Sequence, residues 1–272
     1  MQTSRRWMAV VLAAVVGHVA ADARAQSPTA RPLPPPQGMV GVGPATLKLF
    51  DPPSPTQTEA RIKRFLLDKA PVTNAQYFDF VKTHPEWRRA VPPKILADDH
   101  YLSNWEGPYA LGANADPAGP VVRVSWFAAK AYCEARSARL PTENEWELAA
   151  KASETQPTPT SDPQRDQLIL AWYGQPTPQR QPPVMQRKPN FWGVYDLHGL
   201  IWEWVHDFNS RVVADGRRTD EAFVCGGGSL RAADKSNYAA FMRMAFRASL
   251  RGSYTTGDLG FRCAADEKVS PP

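Results

Sequence analysis

Proline constrains this chain more than any other residue. There are 27 prolines in 272 residues, about twice the usual share. Each fixes φ and removes an amide donor, so long helices and central strands have little room. The 17 glycines are an ordinary number. The mix predicts short elements joined by loops with fixed bends. Helices are not separated by regular parallel strands, and no repeat of fixed period occurs. The pattern reads as an irregular α+β domain rather than a doubly wound fold. Hydrophobic residues make up 43% and charged residues 22%, which excludes a disordered charged tail. The length suits one large domain or two small ones and is enough for a core. The net charge of +5 calls for no nucleic-acid partner.

The N-terminus reads as an export signal, residues 1–25. Arg5-Arg6 form a positive region and Trp7 to Val16 a short apolar one. Ala23-Arg24-Ala25 offers a cleavage site before Gln26. A membrane span needs roughly 20 apolar residues, and His18 and Asp22 interrupt the run. The expectation is a periplasmic or secreted protein without a membrane span. Ser4-Arg5-Arg6 leaves a twin-arginine route open beside the general one. The three cysteines, Cys133, Cys225 and Cys263, allow one disulfide and leave one thiol over. Spacing leaves the pair open.

Residues 26–60 are rich in Pro, Gln and Thr and read as an extended arm leading into a domain at 61–268. Arg61 to Leu67 has the pattern of a first strand. Thr73 or Asn74 caps a helix with Tyr77, Phe78 and Val81 on its apolar stripe, and His84-Pro85 ends it. Val121 to Val124 reads as a short strand, and Ser125 caps a helix carrying Trp126, Ala129, Tyr132 and Cys133. Thr142 and Glu145 have capping-box spacing at the start of a helix that runs to about Ala152. Residues 153–190 hold eight prolines. This insertion reads as either disordered or a functional loop.

Six segments now form a pattern. They are Pro71 to Tyr77, Val121 to Trp126, Arg139 to Trp146, Gly193 to Trp204, Gly227-Gly228-Ser229, and Leu259 to Ala264. In order and spacing they resemble the formylglycine-generating enzyme family, also called the sulfatase-modifying factor family. The resemblance implies a single domain with a C-type-lectin-like core and little regular structure. Enzymes of that family oxidise a substrate cysteine to formylglycine with O2 and copper held by two cysteines. The matching positions here are Ala232 and Asn237. Soft thiolates select Cu(I), and a methyl group or neutral amide does not replace them. Copper is therefore not expected.

The resemblance also implies a disulfide between Cys133 and Cys263. A second bridge found in some members would fall at Ala150 and Met242, where both thiols are absent. Cys225 is left as the odd thiol, either an inert core residue or a reactive or metal-binding one. The segment Asp196 to Trp204 is similar to a family turn that wraps calcium. It implies ligands from Gly199, Ile201 and Glu203. Leu200 replaces the usual Asn, and the alternative is that Glu203 pairs with a buried arginine such as Arg262. Trp204, Ser229, Arg247 and Asp258 match positions lining the family's binding cleft, although Ser229 could simply cap a turn. His198 and His206, with His84 and His100, leave a composite histidine metal site open.

The insert around His84 to Trp105 and the segment Tyr238 to Leu250 look similar to exported members found beside copper nitrite reductase. Three readings follow. One is a non-catalytic periplasmic binding or accessory protein with a protein or peptide ligand. The second is an oxidase or maturation enzyme with a rebuilt metal site. The third is an immunity protein that blocks a secreted toxin.

Overall fold

The structure is a computed structural model and describes residues 37–50, 52, 54–159, 163–209 and 238–267. The expected export signal lies outside the described residues, as do Cys225, Ser229, Ala232 and Asn237. In chain order, β1 (Met39–Val42), β2 (Ala45–Lys48), β3 (Glu59–Ile62) and β4 (Phe65–Asp68) precede α1 (Asn74–Thr83). Next come α2 (Trp126–Ala135), α3 (Glu143–Lys151) and α4 (Pro163–Tyr173). Then follow β5 (Trp202–Glu203), α5 (Tyr238–Ser249), β6 (Leu259–Gly260) and β7 (Ala264–Asp266). Among the described residues no helix is long and apolar enough to cross a membrane.

The elements are short, as the prolines require, and the fold is mixed α+β. A three-stranded antiparallel sheet has the order β1-β4-β7. Its central strand, β4, is buried at all four positions. Successive side chains point to opposite faces. Leu66 therefore joins one core cluster, with Tyr77, Trp105, Tyr132 and Phe261, while Phe65 and Leu67 join a second with Trp146 and Leu148. A separate hairpin pairs β2 with β3, and β5 lies parallel to β6.

The helix starts follow the sequence chemistry. Thr73 and Gln76 close a capping box on α1, and Thr142 and Glu145 close another on α3. Ser125 Oγ accepts from the Ala128 amide at 3.2 Å to cap α2. Three expectations are revised. The arm read at 26–60 contains β1 and β2, with Met39, Val42 and Leu47 buried. Its corner is built from Gly43 at φ 79° and Pro44, so proline there turns the chain from one sheet into another rather than extending it. The strand read at Arg61 to Leu67 is two strands in different sheets, because an exposed Lys63-Arg64 corner separates β3 from β4. Val121 to Val124 is not a regular strand, because Arg123 sits at φ 59°.

Cys133, in α2, is joined by a disulfide to Cys263, one residue before β7. The two Cα atoms are 5.6 Å apart across a sequence separation of 130. The bridge thus clamps a helix to the central sheet.

A second clamp is ionic. Glu147 of α3 accepts from Arg243 Nε and Nη2 at 2.8 and 2.6 Å and from Arg247 Nη1 at 3.0 Å, both arginines lying on α5. Arg243 Nη1 also donates to Tyr173 Oη at 3.0 Å, which ties in α4. Burial alone would raise the Glu147 carboxyl, but the two guanidinium groups outweigh it and hold it at about 2. His198 lies beside this cluster, its ring edge-on to Trp146 at 5.9 Å. Burial first, and then the Arg243 charge, push its imidazole down to about 3. His198 Nε2 donates to Ala150 O at 3.0 Å, so the neutral ring carries its proton there.

Two outcomes follow from these clamps. The double variant Cys133→Ala/Cys263→Ala should lose on the order of 4–5 kcal/mol in the chain-entropy account of a loop this long, read by urea denaturation. A loss below about 1 kcal/mol would contradict that. The pH dependence has a definite sign. In the folded chain His198 stays neutral far below its ordinary 6.5, and Glu147 stays ionised below its ordinary 4.5. The unfolded chain takes up both protons first, so stability is full above pH 6.5 and falls as pH drops toward 3. The initial slope is about 1.4 kcal/mol per pH unit. His198→Gln should flatten the fall above pH 5, and an unchanged slope in that variant would refute the assignment.

Candidate functional site

The resemblance directs attention to the turn that leads into β5. It is made by two residues in left-handed conformation, Asp196 at φ 57° and Gly199 at φ 85°. Asp196 Oδ2 accepts from the Met185 amide at 2.6 Å, while partial burial pushes its carboxyl above the usual range. The chain then enters β5, where the Trp202 amide donates to Asp258 O at 2.7 Å and the Trp204 amide to Gly260 O at 2.9 Å.

Glu203 is the charged centre of this turn. Its Oε1 accepts from Arg262 Nη2 at 2.7 Å. Its Oε2 accepts from Arg262 Nε at 2.8 Å and from the Trp146 indole at 2.7 Å. Neither side chain of the pair reaches solvent. Arg262 spends its remaining donors on the Asp68, Lys69 and Tyr195 carbonyls, so all five of its N–H groups are used. Arg187 Nη1 donates to His198 O at 3.4 Å and packs against Gly199. Calcium requires several oxygens free to coordinate. Here the Glu203 carboxylate is committed to a guanidinium and an indole, Asp196 Oδ2 is taken by the Met185 amide, and a second guanidinium lies on the turn. The groups present do not fit a dication. Of the two readings of Glu203, the geometry favours the arginine pair.

Of the four expected cleft residues, the three that are described, Trp204, Arg247 and Asp258, are not brought to one open surface. Trp204 is fully buried, and its indole donates to Val124 O at 2.9 Å. It is core, because the Val121 to Val124 segment packs over it. Arg247 is also buried; it pairs with Glu147 and lies 4.6 Å over the Trp146 ring. Asp258 does line open space, with Oδ2 accepting from Thr177 Oγ1 at 3.1 Å. Ser229 lies outside the described residues.

The histidines are dispersed. His84 stacks on Phe80 at the end of α1, His100 is exposed, His206 lies 6.2 Å from the Trp126 ring, and His198 is held by Ala150. Among the described residues no three His, Cys, Asp or Glu side chains are placed to hold a metal ion.

A groove of about 860 Å³ opens between this turn and the Pro-rich insertion. Helix α4 forms one wall, with Ile169 turned inward and Leu168 exposed. Trp202 forms the floor. Its ring is stacked 4.6 Å from Tyr173 and 4.4 Å from Phe246, so aromatic side chains from α4, β5 and α5 make one pile. The groove's surface is mixed, more apolar than polar, with Arg187, Asp196 and Asp258 among its charged groups. Sequence reading placed Trp202 and Asp258 near a site but missed the α4 wall. The available signal was the apolar run Leu168 to Tyr173 inside the insertion.

Residues 23–267 match the sulfatase-modifying factor enzyme 1-like domain family. The inactive C-alpha-formylglycine-generating enzyme 2 of Mus musculus is 29% identical over 85% of this chain and 80% of its own length. The formylglycine-generating enzyme of Thermomonospora curvata is 28% identical over 76% of this chain and 83% of its own. A solved structure, PvdO from Pseudomonas aeruginosa, superposes with a TM-score of 0.49 at 18% identity, over 89% of this chain and 100% of that one. The chain thus has both active and inactive formylglycine-generating relatives, and it belongs to the sulfatase-modifying factor enzyme 1-like domain family.

Proposed function

We propose that this chain is an exported, non-catalytic binding or accessory protein built on the formylglycine-generating scaffold. The observation that carries this reading is a count of thiols. The chain has three cysteines, and Cys133 and Cys263 are bonded to each other. One thiol, Cys225, remains, whereas the family's copper chemistry takes two. Ala232 and Asn237 occupy the matching positions. An inactive relative of similar extent is consistent with a scaffold that outlives its chemistry.

Binding in the groove between α4 and Trp202 suits this reading. The aromatic pile offers a rigid apolar floor, and Arg187, Asp196 and Asp258 give polar contacts that orient a ligand. A protein or peptide segment with an apolar side chain flanked by polar groups fits that surface. The N-terminal signal supports a periplasmic or secreted setting, in which the disulfide persists.

Two experiments test the reading. Incubated with Cu(I), O2 and a cysteine-containing peptide, the protein should yield no aldehyde above a protein-free control. Aldehyde formation that requires Cys225 would overturn the non-catalytic reading. Calcium added to chelator-treated protein should leave the melting temperature within about 1 °C. A rise of roughly 5 °C or more at saturating ion would show that Glu203 and its turn bind calcium after all.

A further inference from the structure

A second cavity, of about 470 Å³, lies on the far side of the Thr177–Asp258 hydrogen bond from the aromatic groove. Its lining is mostly polar and contains no aromatic ring. Three residues on its wall hold buried polar atoms without a partner: Asn104 Oδ1, Gln181 Oε1 and Thr256 Oγ1. Gln181 is 5% exposed, and its Nε2 donates to Gly257 O at 3.1 Å. That bond fixes the amide's orientation and leaves the oxygen as the open position. A buried acceptor without a donor is costly, and three around one cavity need an explanation.

The charges on the same wall point the same way. Arg123 makes no hydrogen bond or ion pair through its guanidinium among the described residues, although Asp258 lines the cavity with it. Its head lies against Gly257, where an added Cβ would come within 3.2 Å of Nη2. Its backbone is pinned on both sides: the Arg123 amide donates to Thr256 O at 3.1 Å, and the Leu102 amide donates to Arg123 O at 2.9 Å. The residue is held at φ 59°, a conformation that costs a non-glycine residue energy and gathers at binding sites. A cavity with one free cation, one carboxylate and several empty acceptors suits a ligand carrying opposite charges and a group with several donors. A sugar would supply hydroxyls, but it would leave the Arg123 charge unmatched and find no ring to stack on.

We propose that this cavity binds a free α-amino acid. The ammonium has three donors to offer to Asn104 Oδ1, Gln181 Oε1 and the Asp258 carboxylate. The carboxylate faces Arg123, and Thr256 Oγ1 serves either end. The proposal is independent of the thiol count, while Thr177, Gln181 and Asp258 line both this cavity and the aromatic groove.

The test screens the full disulfide-bonded protein by thermal shift against each standard L-amino acid, then measures the best responder by titration calorimetry. At least one hydrophilic amino acid should raise the melting temperature, and its N-acetyl and methyl-ester derivatives should not. Arg123→Gln, which keeps the same left-handed backbone demand, should weaken binding by roughly ten- to hundredfold with an unchanged ligand-free melting temperature. Asp258→Asn, which keeps an acceptor for Thr177, provides a second variant expected to weaken binding should the first fail to fold. No response to any amino acid, an equal response to the blocked derivatives, a response to neutral monosaccharides instead, or full affinity in a folded variant would each overturn the proposal.

Discussion

The pair between Glu203 and Arg262 is the interaction on which the other parts of this structure depend. It is fully enclosed, and each unit of charge has its complement. Through Arg262 it gathers the carbonyls of Asp68, Lys69 and Tyr195; through Glu203 it reaches the Trp146 indole on α3. The end of the central sheet, the turn before β5, a core helix and the strand leading to Cys263 thus meet at one charged point. A chain with so little regular structure has few ladders to hold distant segments in register. Buried polar contacts, the disulfide and the Glu147–Arg243–Arg247 cluster take that role. Removing one partner of such a pair leaves an uncompensated charge in the interior, which is why the motif acts as a unit.

The same pair belongs to a core whose contacts are independent of the proposed function. Trp202, Glu203, Trp204, Phe261 and Arg262 serve packing and charge balance, as their burial and partners indicate. The proposed absence of copper chemistry is therefore compatible with this packing. It also leaves free a surface assembled from less constrained parts, the proline-rich insertion and α5.

Much of this was readable from residues alone. The capping box at Thr142 is local chemistry and appeared where the sequence put it, and the cap left open between Thr73 and Asn74 fell on Thr73. The Cys133–Cys263 bridge and the alternative partner of Glu203 came from a family pattern and an inventory of charges. What was hidden depended on distant contacts. Met39 to Lys48 looked like part of an arm because residues 26–60 are rich in Pro, Gln and Thr, but its burial comes from β4 and β3, which no local pattern reveals. Trp204 and Arg247 looked like cleft residues because sequence order does not say which side of a segment faces inward. The polar cavity around Gln181 and Arg123 was not visible at all. Its residues come from four separate stretches, and none has a motif.

The most direct test of this account is a double-mutant cycle on Glu203→Gln and Arg262→Met, followed by urea denaturation. Each single variant should lose about 3–5 kcal/mol. The double variant should lose clearly less than the two losses added together, because neither remaining group is then left charged and alone. Additive losses, or single variants within about 1 kcal/mol of the parent, would show that the fold does not turn on this pair.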